Sequence, residues 1–164
     1  MTGNQNYEEN QYLTFYCGEE IFGINILYIK EIKEFINVTS IPMMPDFIKG
    51  VINLRGNVVP VVDLSLRFSR RPTKITKRTC IIIVEIDHEG ELVDIGVLVD
   101  SVSEVLDIPL ENIEKTPNFG SKLRLDFING LGKIEDEFIV LLNIKNVFSI
   151  EELSEIESNL KKEN

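Results

Sequence analysis

The sequence predicts a mainly β protein: two small barrels of short strands that share one hydrophobic core. Three observations predict it: short β-branched runs bracketed by turn residues, only brief stretches of helical periodicity, and an internal repeat over most of the chain. The 164 residues, 43% of them hydrophobic, suffice for one compact domain or for two very small units that must bury their faces against each other.

Residues 1–11 are polar and read as a flexible tail. Residues 12–15 and 20–24 flank Cys17-Gly18-Glu19, a hairpin signal. Asn25 is placed to cap one short helix, with Ile26, Ile29 and Ile32 at helical spacing. Ile41-Pro42-Met43-Met44-Pro45 must be extended and irregular, because proline removes donors and restricts its predecessor. Residues 46–50 read as one helical turn ended by Gly50. Residues 50–64 (GVINLRGNVVPVVDL) are two β-branched runs around the tight turn Arg55-Gly56-Asn57, and Pro60 predicts an edge strand or a bulge.

Residues 67–78 form the only basic cluster. It reads as an anion-binding patch or as a flexible loop between halves, and Pro72 with its Ser and Thr neighbours favours the loop. Residues 79–86 and 92–99 are strands, with Asp87-His88-Glu89-Gly90 turning between them. Asp100 or Ser101 is expected to start a short helical turn, with extended chain again over 105–108. Residues 121–127 read as a short amphipathic helix and 138–142 as a strand. Ser149-Ile150-Glu151-Glu152 is a capping box, with Phe148 and Leu153 as its staple, and the final helix runs into an acidic end. The expected layout is a tail over 1–11, a domain over 12–148 whose halves meet near 67–80, and a helix with acidic tail over 149–164.

The repeat aligns residues 22–32 (FGINILYIKEI) with 95–105 (IGVLVDSVSEV), and Phe47-Ile48-Lys49-Gly50 with Phe127-Ile128-Asn129-Gly130. In the second register, residues 58–64 fall on 138–144. The copies differ at the hairpin tip. The first presents Arg55 in a compact turn, and the second presents only Glu135, Asp136 and Glu137.

Composition excludes several function classes. A net charge of −10 repels phosphate backbones and anionic membranes. No apolar run reaches the ~20 residues of a membrane span. The start has neither a basic nor an apolar region of a signal peptide, and Cys17 and Cys80 sit apart in apolar runs like reduced thiols, so the expected compartment is the cytoplasm. His88 is the single histidine, in a turn, without the partners a zinc site or a nucleophilic triad needs. No carboxylate pair stands out, so no enzyme, metal or cofactor is expected. A barrel binding single-stranded nucleic acid is the alternative reading. It would need aromatic platforms on a positive face, and the chain has no Trp.

Residues 50–64, 97–106 (VLVDSVSEVL) and 127–134 (FINGLGKI) closely resemble the CheW family, the coupling proteins of bacterial chemotaxis arrays, and the resemblance runs over residues 12–148. It implies two interlocked five-stranded, SH3-like barrels without catalytic activity or cofactor. It implies an adaptor, recruited to membrane-associated arrays, that links the histidine kinase CheA to the cytoplasmic tip of methyl-accepting chemoreceptors. No receiver or kinase domain is attached, which fits a stand-alone adaptor better than the CheV type or the regulatory domain of CheA itself.

Carried over by motif, the receptor surface comprises Ile29 and Glu31 on the first short helix, Lys49, Gly50 and Arg55 of the hairpin, and Val102 and Val105 of the matching segment. These line a groove between the barrels in the family. The kinase-facing surface comprises Ile32, Lys33 and Phe35. Each residue has a plainer reading beside this one: Ile29, Val102 and Val105 as core, and Gly50 as a helix cap. Arg55 resists it, because a turn tip rarely needs arginine to fold. Arg55→Ala and Gly50→Asp are both expected to leave the fold intact and to weaken receptor coupling.

Overall fold

The computed structural model describes residues 9–117 and 125–148. Eleven strands lie in this order: β1 Gln11–Cys17, β2 Glu20–Asn25, β3 Ile29–Glu34, β4 Ile48–Leu54, β5 Asn57–Asp63, β6 Cys80–His88, β7 Glu91–Val99, β8 Ser101–Asp107, β9 Ile113–Glu114, β10 Ile128–Ile134 and β11 Glu137–Leu142. Two one-turn helices, α1 Leu64–Arg67 and α2 Ile144–Val147, follow β5 and β11.

The strands form a six-stranded sheet in the order β8-β1-β2-β11-β10-β9 and a five-stranded sheet in the order β3-β6-β7-β5-β4. The hairpin β1–β2 thus completes the sheet of β8 to β11, and the hairpin β6–β7 completes the sheet of β3 to β5. Each hairpin is joined by one antiparallel pair, β1 with β8 and β6 with β3, and by one parallel pair, β2 with β11 and β7 with β5. Each sheet then curls back on itself. After β3 the chain crosses to β4, where Thr39 bridges Val51; after β8 it crosses to β10, where β9 pairs with Leu131 and Gly132. The sixth strand is only this two-residue β9, so the expected five-stranded barrels hold with one short addition.

The repeat is visible at residue level. Asp63 and Asn143 cap α1 and α2, and their amides donate to the carbonyls of Phe47 and Phe127 at 2.8 and 2.7 Å. β4 and β10 both shift register at the same step, between Ile48 and Gly50 and between Ile128 and Gly130.

The continuous apolar run of β6 is explained by burial on both faces. Ile81 and Ile83 point into the barrel of the second sheet with Ile52, Val59, Val61 and Leu98. Ile82, Val84 and Ile86 point into a core shared with Leu13, Phe15, Phe22 and Ile24 of the first sheet. The first sheet keeps a smaller core of its own around Ile108, Ile139 and Leu141. Each fully buried isoleucine contributes about 1.5–3 kcal/mol of transfer free energy, so the shared layer binds the barrels into one unit.

Several expected elements differ. Asn25 does cap, its side chain accepting from the amide of Leu27 at 3.0 Å, but the helix is one 3-10 turn, Ile26–Tyr28. Ile29 and Ile32 lie on the strand β3, opposite Val84 and Ile82 of β6. The helical turn expected at Asp100 or Ser101 is likewise the start of strand β8, with Val102 opposite Phe15 and Val105 opposite Leu13. In both strands a bulge inserts one residue, which puts apolar positions three apart on one side of a sheet and mimics helical spacing.

Around Asp46-Phe47 the chain makes only a turn, closed by the amide of Ile48 to the carbonyl of Pro45 at 3.0 Å, and Gly50 is in β4 rather than capping a helix. Pro60 lies in an interior strand without a bulge at its own position. It sits one residue before the parallel ladder to β7 begins at Val61, where no partner needs its missing N–H. Of the helix expected over 121–127, Leu125–Phe127 form a 3-10 turn and the rest lies outside the described residues, as do the tail before residue 9 and the capping box and final helix from residue 149.

The connector after α1 is held down. Thr73 donates to the buried Asp63 carboxylate through its amide (2.9 Å) and its hydroxyl (2.7 Å), and the amide of Thr76 donates to the Thr79 hydroxyl at 2.8 Å. Its first cation, Arg67, turns inward. Its Nε donates to the carbonyl of Val147 at 2.7 Å, and its guanidinium lies 4.7 and 4.9 Å from the ring centres of Phe47 and Phe127, repeat partners from the two halves.

Candidate adaptor surfaces

The hairpin between β4 and β5 has a two-residue turn, Arg55-Gly56, with φ of 53° and 86°, and the Asn53 side chain accepts from the amide of Gly56 at 2.8 Å. Positive φ at both positions matches the twist of the flanking strands, so Arg55 is held in a left-handed conformation that most side chains avoid. The corresponding turn of the repeat carries Glu135 with φ of 55°.

From this turn Arg55 reaches across the seam between β4 and β3, the two edge strands of the sheet. Its Nη1 lies 2.7 Å from Oε2 of Glu31, and Lys33 Nζ lies 3.4 Å from the other carboxylate oxygen. The hydrogen bond from Arg55, more than the nearby charges, holds the Glu31 carboxyl below its usual range. Glu31, Lys33 and Arg55, expected on two different surfaces, form one cluster. Arg55 itself is 69% exposed, so its guanidinium remains open to a partner. Lys30, the extra residue of the β3 bulge, pairs instead with Asp94 at 3.0 Å and Glu85 at 3.4 Å, which raises its ammonium pKa.

The remaining expected residues separate. Ile29 and Val102 are half-buried repeat partners packed on the shared core, where the plain reading placed them. Ile32 and Val105, also repeat partners, stand out at 46% and 52% exposed on β3 and β8. Phe35 packs against the private core of the second sheet. Lys49 is half-buried in β4. Gly50 is buried with φ of 151°, and a Cβ there would lie 2.9 Å from Val38 Cγ1 and still closer to the Thr39 carbonyl. It is therefore a packing position, and a carboxylate there acts on the fold, contrary to the expectation for Gly50→Asp.

Two features escaped the sequence reading. Thr14 is fully buried in β1 and fills the β8 bulge, donating to the carbonyl of Glu104 at 2.7 Å and accepting from its amide at 3.2 Å. The inward turn of Arg67 is the other. An alternation count finds the first as a polar residue in an apolar strand, whereas no local signal marks the second. Among the described residues no three His, Cys, Asp or Glu side chains converge as a metal site, and no helix is long and apolar enough to cross a membrane.

The model of the CheW-like domain family matches residues 11–152, which takes in both sheets and the Glu31–Arg55 cluster. The chain belongs to the CheW family. It is 36% identical over 151 residues to the chemotaxis protein CheW of Klebsiella aerogenes, covering 92% of this chain and 89% of that protein. It is 33% identical over 144 residues to a probable chemotaxis protein CheW of Rhizobium etli, covering 88% and 90%. Among solved structures it is similar to the scaffolding protein TtCheW of Thermoanaerobacter tengcongensis, with a TM-score of 0.76 and 34% identity, covering 86% of this chain and 88% of that one. The scaffolding protein thus shares the fold described above over most of both chains.

Proposed function

We propose that this chain is a non-catalytic chemotaxis adaptor that couples the histidine kinase CheA to the cytoplasmic tip of methyl-accepting chemoreceptors, in the cytoplasm at membrane-associated arrays. The observation that carries the reading is the family match over residues 11–152 on an interlocked two-barrel fold. The receptor-facing surface centres on Arg55 and Glu31 at the seam, flanked by Lys49, with Val105 as exposed apolar contact and Ile29, Gly50 and Val102 shaping the wall from behind. A receptor tip is a helical hairpin, and an exposed guanidinium in a rigid turn suits carboxylates or helix carbonyls at the end of such a partner. The kinase-facing surface uses Ile32 and Lys33, with Phe35 packed beneath.

The test is co-elution of the chain with the regulatory domain of CheA and a receptor-tip fragment. The expected result is one complex holding all three; binding to neither partner overturns the reading. Arg55→Asn keeps a residue that tolerates positive φ and removes the guanidinium. It should weaken the receptor fragment by about 2 kcal/mol, roughly 30-fold, and leave the CheA domain unaffected.

A further inference from the structure

The connector from Arg67 to Arg78 holds six cations, Arg67, Arg70, Arg71, Lys74, Lys77 and Arg78, and no carboxylate, which leaves 11 cations against 27 carboxylates in the rest of the chain. Arg67 is engaged inward and Arg70 pairs with Glu20. The side chains of Arg71, Lys74, Lys77 and Arg78 make no ion pair among the described residues. They surround two adjoining depressions. One, of about 450 Å³, is lined by Arg71, Lys74 and Arg78 together with Asp100. The other, of about 490 Å³, is lined by Lys77 and Arg78 together with Glu34, Tyr16 and Val102. Arg78 and Ser101 belong to both. Asp100 is partly occupied, since its Oδ2 accepts from the amide of Gly18 at 2.6 Å.

We propose that this trough binds an extended acidic peptide segment of a partner protein; the trough contains neither Glu31 nor Arg55 and shares only Val102 with the proposed receptor-facing wall. Four cations without an ion pair among the described residues, on a chain of opposite overall sign, form a local positive field that selects anionic ligands. Two arginines supply forked donors that match carboxylates. The two depressions are open and share Arg78 and Ser101, which suits a strand of peptide over a compact ion, and Tyr16 and Val102 in the lining offer apolar contact. The loop carrying the cations is already fixed by Thr73 on the Asp63 carboxylate and by Thr76 on Thr79, so binding does not have to order it. The strongly negative remainder of the surface disfavours a nucleic-acid backbone over a short peptide.

The probe is a fluorescein-labelled glutamate-alanine peptide, followed by anisotropy on the full chain at low and at physiological salt. Binding is expected, and weaker at the higher salt. The combined variant Arg71→Gln, Lys74→Gln, Arg78→Gln should lose about tenfold or more in affinity, while Lys115→Gln, Lys133→Gln, Lys145→Gln stays within about twofold of the wild type. These are exposed positions, and an unchanged circular-dichroism melt verifies the fold. Three results overturn the proposal: no binding at low salt, equal losses in both variants, or an oligothymidylate that binds more tightly than the peptide. A fourth is a tenfold gain on neutralising Glu151, Glu152, Glu155 and Glu157 to glutamine, which would assign the trough to the chain's own acidic end. None of these readouts involves CheA or a receptor.

Discussion

Gly50→Ala probes the bulge that brings β4 against the chain leaving β3. The added methyl would lie 2.7 Å from the Thr39 carbonyl carbon and 2.9 Å from Val38 Cγ1, and φ at this residue is 151°. Relieving the contact pushes Thr39 away from Val51, and their two reciprocal hydrogen bonds, both 2.9 Å, are lost. At about 0.5–1.5 kcal/mol each, with about 1–3 kcal/mol for a side chain at that φ, the expected loss is about 3 kcal/mol or more. For a chain of this size that lowers the melting temperature by about 6–12 °C. The comparison is Gly56→Ala at the hairpin tip, where φ is 86° and nothing lies within 4 Å; it should cost only about 1–2 kcal/mol. Urea denaturation with an unchanged m-value reads both. A Gly50→Ala midpoint equal to the wild type, or no lower than that of Gly56→Ala, would refute the reasoning.

Other outcomes follow from the same geometry. The Glu31 carboxyl is held below its usual value, so its ion pair contributes above the unfolded carboxyl pKa and is lost as pH falls through the lower folded one; a carboxyl-resonance titration should move upward in Arg55→Asn, and an unmoved titration would exclude the pair in solution. Burial, with the Asp100 charge second, pushes the Cys17 thiol up to about 11, so alkylation at pH 8 should be slow until the chain is unfolded, and rapid labelling of native protein at Cys17 would contradict that burial. Thr14→Val removes both bonds to Glu104 inside a buried bulge and should cost about 1–3 kcal/mol; chemical denaturation showing no loss would mean the bulge relaxes without its clamp.

The parts legible in the sequence are those set by local chemistry. Arg55-Gly56 and Glu89-Gly90 announce turns because glycine and short polar residues accept positive φ, and both turns formed. The repeat is legible because its matched glycines, caps and Phe-Ile-x-Gly steps each answer a packing demand that recurs. What misled was periodicity across a bulge. Ile29 with Ile32 and Val102 with Val105 are three apart, which reads as helix until the inserted residue is known, and only the long-range partners Val84, Ile82, Phe15 and Leu13 reveal it. The resemblance puts Glu31 and Arg55 on one surface, but their direct ion pair is not legible, because it depends on the closing of the sheet that brings β3 beside the β4–β5 turn.

The exchange of first hairpins between the two sheets has a consequence for how the chain comes into being. β1 finds its outer neighbour only when β8 exists, and β2 only when β11 does. The second barrel can close once β7 ends at Val99, but the first must wait for β11 to end at Leu142, so its folding is late, non-local and slow relative to chains with near-neighbour pairing. The same clasp works in reverse once folding is finished. A protease nick between Arg71 and Arg78 would sever the covalent link while leaving the fragments gripping one another, and the two faces would keep their fixed spacing.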